Sequence, residues 1–125
     1  MSDFDTRLPL RGKNVALIED EALVAMFVEE LLLDLGAATV GFAANVPKGL
    51  ALLEREQPNF AVLDLNLGGQ ASYPVAEKLE SANVPYLFLT GYGIDGVDLA
   101  WRSRPILQKP TTLEALRKAI CAILA

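Results

Sequence analysis

The sequence contains no histidine and only one cysteine, Cys121. Without histidine, the chain has no Ser-His or Cys-His nucleophile pair, no zinc-histidine site and no phosphohistidine of its own. A single cysteine has no partner for a disulfide bond within the chain and forms no cysteine cluster for a metal, which suits a reducing cytoplasm. Any chemistry must therefore come from other side chains.

Basic residues and long apolar runs are also scarce. Lys and Arg total 11 against 16 Asp and Glu, for a formal net charge of −5, whereas binding to nucleic-acid phosphates needs a surplus of cations. The longest apolar runs, such as 22–28, are far shorter than the roughly 20 residues that cross a bilayer. The polar, acidic N-terminus does not resemble a signal peptide. We expect a cytoplasmic protein that binds neither nucleic acid nor membrane.

The composition nevertheless supports a folded domain. The chain has 125 residues, of which 52% are hydrophobic, and this is enough for one domain with a real core. Residues 1–11 are predicted to form a short flexible tail, and residues 12–125 a single domain.

Short apolar runs alternate with helical stretches along this domain. Several runs lack polar alternation, which is typical of strands covered on both faces. The predicted strands lie near residues 15–18, 39–43, 60–63, 86–89 and 106–107. Helical crossovers between parallel strands predict a doubly wound α/β fold, with a five-stranded parallel sheet and helices on both faces.

The predicted helices have recognisable ends. The first runs from 21 to 35, and the second from Asn45 to just before Pro58. The third begins just after Ser72, and the last begins at a capping box at 111–114. The segment 91–104 differs because it contains three glycines, each of which disfavours a helix by about 1 kcal/mol. It predicts a fourth helix that is short or mobile.

Polar side chains stand at the ends of the predicted strands. They are Glu19 and Asp20 after the first strand, Asp64 after the third, Thr90 after the fourth and Lys109 after the fifth. Taken singly, each has an ordinary alternative: a helix cap, a turn residue, a strand end or a surface lysine. Ligand sites in doubly wound folds lie beyond the carboxyl ends of the strands, so the joint pattern favours a single site.

The types of side chain in this set indicate phosphoryl chemistry with a metal. Clustered carboxylates repel one another and imply a compensating cation, and an all-oxygen site suits Mg²⁺. A carboxylate beside Mg²⁺ and a lysine ammonium is arranged to attack phosphorus. Thr90 can then donate a hydrogen bond to a phosphoryl oxygen.

Four motifs together resemble the receiver domains of two-component response regulators. They read A-L-I-E-D-E at 16–21, A-V-L-D-L-N at 61–66, L-T-G at 89–91 and Q-K-P at 108–110. The resemblance covers about residues 13–125.

This resemblance implies a role for each residue of the site. Asp64 would accept the phosphoryl group, Thr90 would be the switch hydroxyl and Lys109 would contact the phosphoryl group. The Mg²⁺ ligands would be Glu19, Asp20, Asp64 and the backbone carbonyl of Asn66. In this family the Lys-Pro bond is commonly cis, which would apply to Lys109-Pro110.

A narrower resemblance concerns residues 85–93. The sequence P-Y-L-F-L-T-G-Y-G resembles the signature of the FATGUY receivers of alphaproteobacteria, with Leu89 in place of the usual alanine. Receivers usually carry Phe or Tyr three residues before the lysine, and this chain has Ile106 there. We therefore expect Tyr92 to replace that switch or to gate the site. Asn66 and Tyr92 occupy positions that tend to tune hydrolysis of the acyl phosphate in this family.

The resemblance predicts a stand-alone receiver that a histidine kinase phosphorylates on Asp64, and a changed surface at the fourth helix and fifth strand. We expect no output domain after the last helix. The output would be binding of a downstream protein, or removal of phosphoryl groups from the kinase as a phosphate sink. The sequence leaves both open, and we expect a monomer or weak dimer.

Two other classes of function remain as alternatives. One is a small Mg²⁺-dependent aspartyl-phosphate phosphatase with Asp64 as nucleophile, although haloacid-dehalogenase-type sites need an acid where Asn66 stands. The other is a binding module that works without phosphorylation, which the five-residue site disfavours. The G-x-G-x-x-G run at 91–96 is not read as a dinucleotide site, because no acid ends a second strand about 20 residues further on.

Overall fold

The structure is a computed structural model that describes residues 5–125. Its strands are β1 Asn14–Ile18, β2 Thr39–Ala43, β3 Phe60–Asp64, β4 Asn66–Leu67, β5 Gln70–Ala71, β6 Tyr86–Thr90 and β7 Ile106–Gln108. Five of them form one sheet in the order β2-β1-β3-β6-β7, and every pair in it is parallel. The remaining two, β4 and β5, form an antiparallel hairpin directly after β3.

Helices cover both faces of the sheet. The four α-helices are α1 Ala22–Asp34, α2 Val46–Glu56, α3 Tyr73–Ser81 and α4 Leu113–Leu124. Buried residues of α1 and α4 form one core cluster with the sheet, and those of α2 and α3 form the other. The predicted doubly wound fold is thereby confirmed. Within residues 5–125, no helix is both long and apolar enough to cross a membrane.

Side-chain caps begin two of these helices. Asn45 Oδ1 accepts a hydrogen bond from the Lys48 N–H at 2.9 Å at the start of α2. At the start of α4, Thr112 Oγ1 accepts one from the Ala115 N–H at 3.1 Å. The cap of α4 therefore lies one residue later than the predicted capping box, and Glu114 does not stand at the position from which it would complete that box.

The N-terminal segment packs against the domain. Leu10 is fully buried, and its N–H donates to the Leu35 carbonyl at 3.0 Å, at the end of α1. The Gly12 N–H donates to the Gly36 carbonyl at 3.2 Å. This differs from the expectation of a flexible tail through residue 11, because an apolar Leu-Pro-Leu run at 8–10 covers the end of α1. Residues 1–4 of the predicted tail lie outside the described residues.

The connection between β6 and β7 is not an α-helix. This stretch, all of it described by the structure, contains two single 3₁₀ turns, Ile94–Gly96 and Leu99–Trp101. Gly93 has a φ of 70°, which interrupts any continuous helix. The fourth helix, expected to be short or mobile, is therefore replaced by two turns, and the glycines at 91, 93 and 96 disfavour a helix in the first half of this connection.

Candidate functional site

The carboxyl ends of neighbouring strands place the predicted site residues at one edge of the sheet. Asp64, the last residue of β3, is in register with Leu89 of β6. Thr90, the last residue of β6, is in register with Gln108 of β7. Since all five strands run parallel, their last residues and the loops that follow lie together, as expected for this class of fold.

Lys109 joins two of the carboxylates. Its Nζ lies 2.9 Å from Glu19 Oε1 and 3.1 Å from Asp64 Oδ2. Glu19 is only 1% exposed, and its other oxygen accepts a hydrogen bond from the Glu21 N–H at 3.1 Å. One ammonium group thus holds two buried carboxylates together.

Asp20 completes an acidic cluster at the surface. One carboxylate oxygen from each of Glu19, Asp20 and Asp64 lies within 4.8 Å of the others. Asp20 is exposed, whereas Glu19 and Asp64 are buried. Three carboxylates against one lysine ammonium leave the cluster with an excess of negative charge.

The electrostatics of this cluster shift two pKa values. Burial raises the pKa of Asp64 to about 7, and the neighbouring Glu19 carboxylate adds to this, while Lys109 partly offsets it. Burial by itself would lower the pKa of Lys109, but the Glu19 and Asp64 carboxylates outweigh it and raise that pKa. Lys109 therefore stays cationic, and Asp64 is a carboxyl group whose ionised form needs a further positive partner.

The donor set fits a magnesium ion. Mg²⁺ prefers oxygen ligands, commonly takes one or two carboxylates and retains several waters. Asp20 and Asp64 line an open cleft of about 420 Å³, and Glu19 lies behind them against Lys109. The cluster thus offers carboxylate oxygens on one side and room for water on the other.

Thr90 and Lys109 are tied together through the backbone. The Lys109 N–H donates to the Thr90 carbonyl at 2.7 Å, and Thr90 Oγ1 accepts a hydrogen bond from the Tyr92 N–H at 3.1 Å. Thr90 is 2% exposed, so its hydroxyl is held at the inner wall of the cleft. The Lys109-Pro110 bond is cis, as the family resemblance implies.

The β4–β5 hairpin forms another wall of the cleft, and sequence analysis did not predict it. Gly68 and Gly69 both have positive φ, at 62° and 90°, and Asn66 Oδ1 accepts a hydrogen bond from the Gly69 N–H at 2.9 Å. The Gly68-Gly69 pair was the available signal, since two such residues between short strands indicate a tight hairpin. The side chain of Asn66 thus stabilises the turn, and the backbone carbonyl of Asn66 remains a predicted metal ligand.

The two predicted switch positions lie in different surroundings. Tyr92 is 80% exposed at the rim of the cleft, and its backbone rather than its ring contacts Thr90. Ile106 is half-buried and packs against the core cluster that α2 and α3 share with the sheet. It does not line the cleft. The roles assigned to both residues stay predictions.

This fold and this acidic cleft are those of a receiver. The sequence profile of the response regulator receiver domain matches residues 15–121, and the chain belongs to that family. The transcriptional regulatory protein PdtaR of Mycobacterium tuberculosis is 29% identical, over 95% of this chain and 58% of PdtaR. The chain therefore spans little more than half the length of that relative.

Solved receiver structures show the same architecture. SdrG from Sphingomonas melonis Fr1 has 41% sequence identity and a TM-score of 0.81, and the match covers 91% of this chain and 98% of that one. The response regulator PhyR from Brucella abortus has 28% identity and a TM-score of 0.81, and the match covers 95% of this chain and 49% of PhyR. The receiver fold is therefore common to whole chains and to parts of longer regulators.

Proposed function

We propose that this receiver is cytoplasmic and accepts a phosphoryl group on Asp64 from the phosphohistidine of a histidine kinase, with Mg²⁺ bound. One observation carries the proposal: Asp64 is the carboxylate that both contacts Lys109, at 3.1 Å, and lines the open cleft. Glu19 contacts the same lysine but lies outside the cleft lining. Only Asp64 combines the ammonium contact with access for a phosphoryl donor.

Each residue of the cleft then has a definite task. An oxygen of Asp64 attacks phosphorus, the bond from phosphorus to the histidine nitrogen of the kinase breaks, and the nitrogen leaves with that electron pair. The Lys109 ammonium neutralises the charge on one phosphoryl oxygen, and the Thr90 hydroxyl donates a hydrogen bond to another. Asp20 and Asp64, with the Asn66 backbone carbonyl and Glu19 behind them, would hold the Mg²⁺, and the bound ion would supply further charge neutralisation.

The output is assigned to a surface next to the cleft. Thr90 leads directly into the segment 91–104 and then β7, so a movement of its hydroxyl would alter that surface. The resemblance at 85–93 supports membership of the FATGUY class. The proposed partners are the kinase and, unless the protein works as a phosphate sink, a downstream protein. We propose that the receiver itself is a monomer or weak dimer, and its net charge of −5 argues against nucleic acid as a partner.

Phosphotransfer from purified, phosphorylated histidine kinases tests the proposal. Intact-mass measurement should show one phosphoryl adduct on the wild type in Mg²⁺, none on Asp64→Asn, and a normal adduct on the control Asp34→Asn. Asp34 is an exposed acid at the end of α1, away from the cleft. Equal labelling of the wild type and Asp64→Asn would refute Asp64 as the acceptor.

The same preparation separates a receiver from a phosphatase. A receiver should take up one equivalent and release it slowly, with no sustained turnover of a simple phosphate ester such as p-nitrophenyl phosphate. Turnover of many equivalents that depends on Asp64 and Mg²⁺ would favour the enzyme instead.

A further inference from the structure

Few contacts attach residues 94–104 to the domain. Val97 is the one residue of this segment in the buried core, while Ile94 and Leu99 are 52% and 79% exposed. The segment has only two single 3₁₀ turns and no strand pairing. Its position therefore depends on a small number of side chains.

The main attachment is an aromatic stack between the segment and α3. The rings of Tyr73 and Trp101 are nearly parallel, with an interplanar angle of 5° and centroids 5.1 Å apart. On Trp101, the Arg104 guanidinium lies 4.7 Å from the ring centroid. Phe88 of β6 meets both stacked rings edge-on, at 6.0 and 6.1 Å. Trp101 is thus held by aromatic and cationic neighbours.

Polar contacts secure the segment at both ends of α3. The Tyr73 hydroxyl accepts a hydrogen bond from the Asp98 N–H at 2.8 Å, next to the first turn of the helix. Near the last turn of α3, Arg104 donates hydrogen bonds to both carboxylate oxygens of Glu80, at 2.9 and 3.2 Å. The segment lies along α3 and is pinned to it twice.

The N-terminal end of the segment lies beside the cleft. Just before it, the Tyr92 N–H donates a hydrogen bond to Thr90 Oγ1. Gly96 is also close to this oxygen, since a Cβ built on Gly96 would lie 3.7 Å from it. A Thr90 hydroxyl that turns towards a phosphoryl group on Asp64 would leave the Tyr92 N–H without its acceptor. The loop that leads into residues 94–104 then loses the contact that positions it, and the Tyr73–Trp101 stack is left as the main attachment of the segment.

We propose that the Tyr73–Trp101 stack is a conformational lock. It holds residues 94–104 against α3 while Asp64 is unphosphorylated, and it opens when Thr90 turns to the phosphoryl group, which exposes Tyr73 and Trp101. The opening step rests on the proposed phosphorylation of Asp64, whereas the closed lock does not. Because so few contacts separate the closed and open conformations, a local change at one end of the segment can shift the equilibrium between them.

The closed lock is tested in the unphosphorylated protein. Trp101 is the only tryptophan of the chain, so its fluorescence reports on the stack itself. Tyr73→Leu should shift the emission to longer wavelength and speed amide exchange in 94–104 about tenfold or more. Tyr73→Phe keeps the ring but not the acceptor for Asp98, so its emission should stay near the wild type while exchange of the Asp98 amide increases.

Phe42→Leu is the matched control, because Phe42 is a half-exposed aromatic on β2 that makes none of these ring contacts. It should change neither emission nor exchange in the segment. Circular dichroism establishes that each variant is folded. A folded Tyr73→Leu protein with wild-type emission and exchange would overturn the lock.

The opening step is tested by adding Mg²⁺ and beryllofluoride as a phosphoryl mimic. The wild type should show the same spectral shift and faster exchange as Tyr73→Leu, and Asp64→Asn should show neither. If a kinase labels Asp64 but Trp101 and the segment stay unchanged with the mimic and with the phosphoryl group, the opening step is wrong and the proposed function stands. If no adduct forms, the proposed function and the opening step both fail, and the Tyr73→Leu measurement alone decides the closed lock.

Discussion

At the scale of single residues, Asp64 is a carboxyl group kept under electrostatic strain. Burial and the nearby Glu19 carboxylate raise its pKa to about 7, and one lysine shared between the two acids offsets only part of this. A metal ion beside Asp64, or its conversion to an acyl phosphate with cationic partners, would offset the unfavourable energy of this buried charge. If Asp64 is the acceptor that we propose, this strain belongs to its function, and it weakens the folded state.

Asp64→Asn should stabilise the metal-free protein in a pH-dependent way. The raised pKa means that the folded wild type retains a proton that the unfolded chain, with the ordinary value of 3.8, gives up. The stability that this proton contributes is complete below about pH 4 and is lost as pH rises towards 7. The advantage of Asp64→Asn should thus grow by about 1 kcal/mol or more between pH 5 and pH 8.

Urea unfolding in a chelator at both pH values measures this difference. Asp34→Asn, which changes an exposed acid, should show no such growth. An advantage of Asp64→Asn that is equal at both pH values would contradict the raised pKa.

At the scale of elements, two connections between strands depart from simple strand-to-helix crossovers. The β4–β5 hairpin turns on two glycines and closes one wall of the cleft. The segment 94–104 takes the place of a regular helix and relies on α3 for its position. The hairpin lines the cleft that contains Asp64, whereas residues 94–104 lie beyond Tyr92 at its rim and pack on α3.

The N-terminal turn at 5–12 is a further element, and Leu10→Ala tests whether it belongs to the domain. Leu10 is fully buried against the end of α1. Removing most of its side chain should lower the free energy of unfolding by about 2 to 4 kcal/mol. Leu23→Ala, at an 81% exposed site on α1, should change it by about 0.5 kcal/mol or less. Equal effects of the two substitutions would assign residue 10 to a flexible tail after all.

At the scale of the whole molecule, the proposed metal site would couple Mg²⁺ binding to folding. The carboxylates come from β3 and the loop after β1, and the lysine follows β7, so only the folded chain brings them together. A ligand that binds only the folded state stabilises it by RT ln(1 + c/Kd), where c is the free ligand concentration, and this gain grows with the logarithm of c above Kd.

Mg²⁺ should therefore raise the thermal midpoint. At about 100 times its dissociation constant the expected gain is about 2.7 kcal/mol. Asp20→Asn should remove most of this gain, because it takes away the exposed carboxylate of the cluster. Glu30→Gln, an exposed acid on α1, should keep it. A midpoint for the wild type that does not respond to Mg²⁺ would argue against a metal at this cleft.

Much of the fold was accessible from the order of residues. Continuous apolar runs such as F-A-V-L before Asp64 predict strands buried on both faces, because only a central parallel strand excludes water on both sides. The side chains that follow those runs predict the cleft, because parallel strands end at one edge. The structure of segment 91–104 is less predictable from sequence. Its glycines disfavour a strong helix, but no local feature specifies two 3₁₀ turns packed on α3.

The sequence by itself determined the fold class and the placement of Asp64, Thr90 and Lys109 at strand ends. Tertiary structure alone decided that Lys109 bridges Glu19 and Asp64 at about 3 Å. It also decided that Leu10 is part of the core and that Tyr73 stacks on Trp101. The reason is that periodicity and strand ends are local properties of a chain, whereas contacts between residues 28 or 90 positions apart depend on how the elements pack.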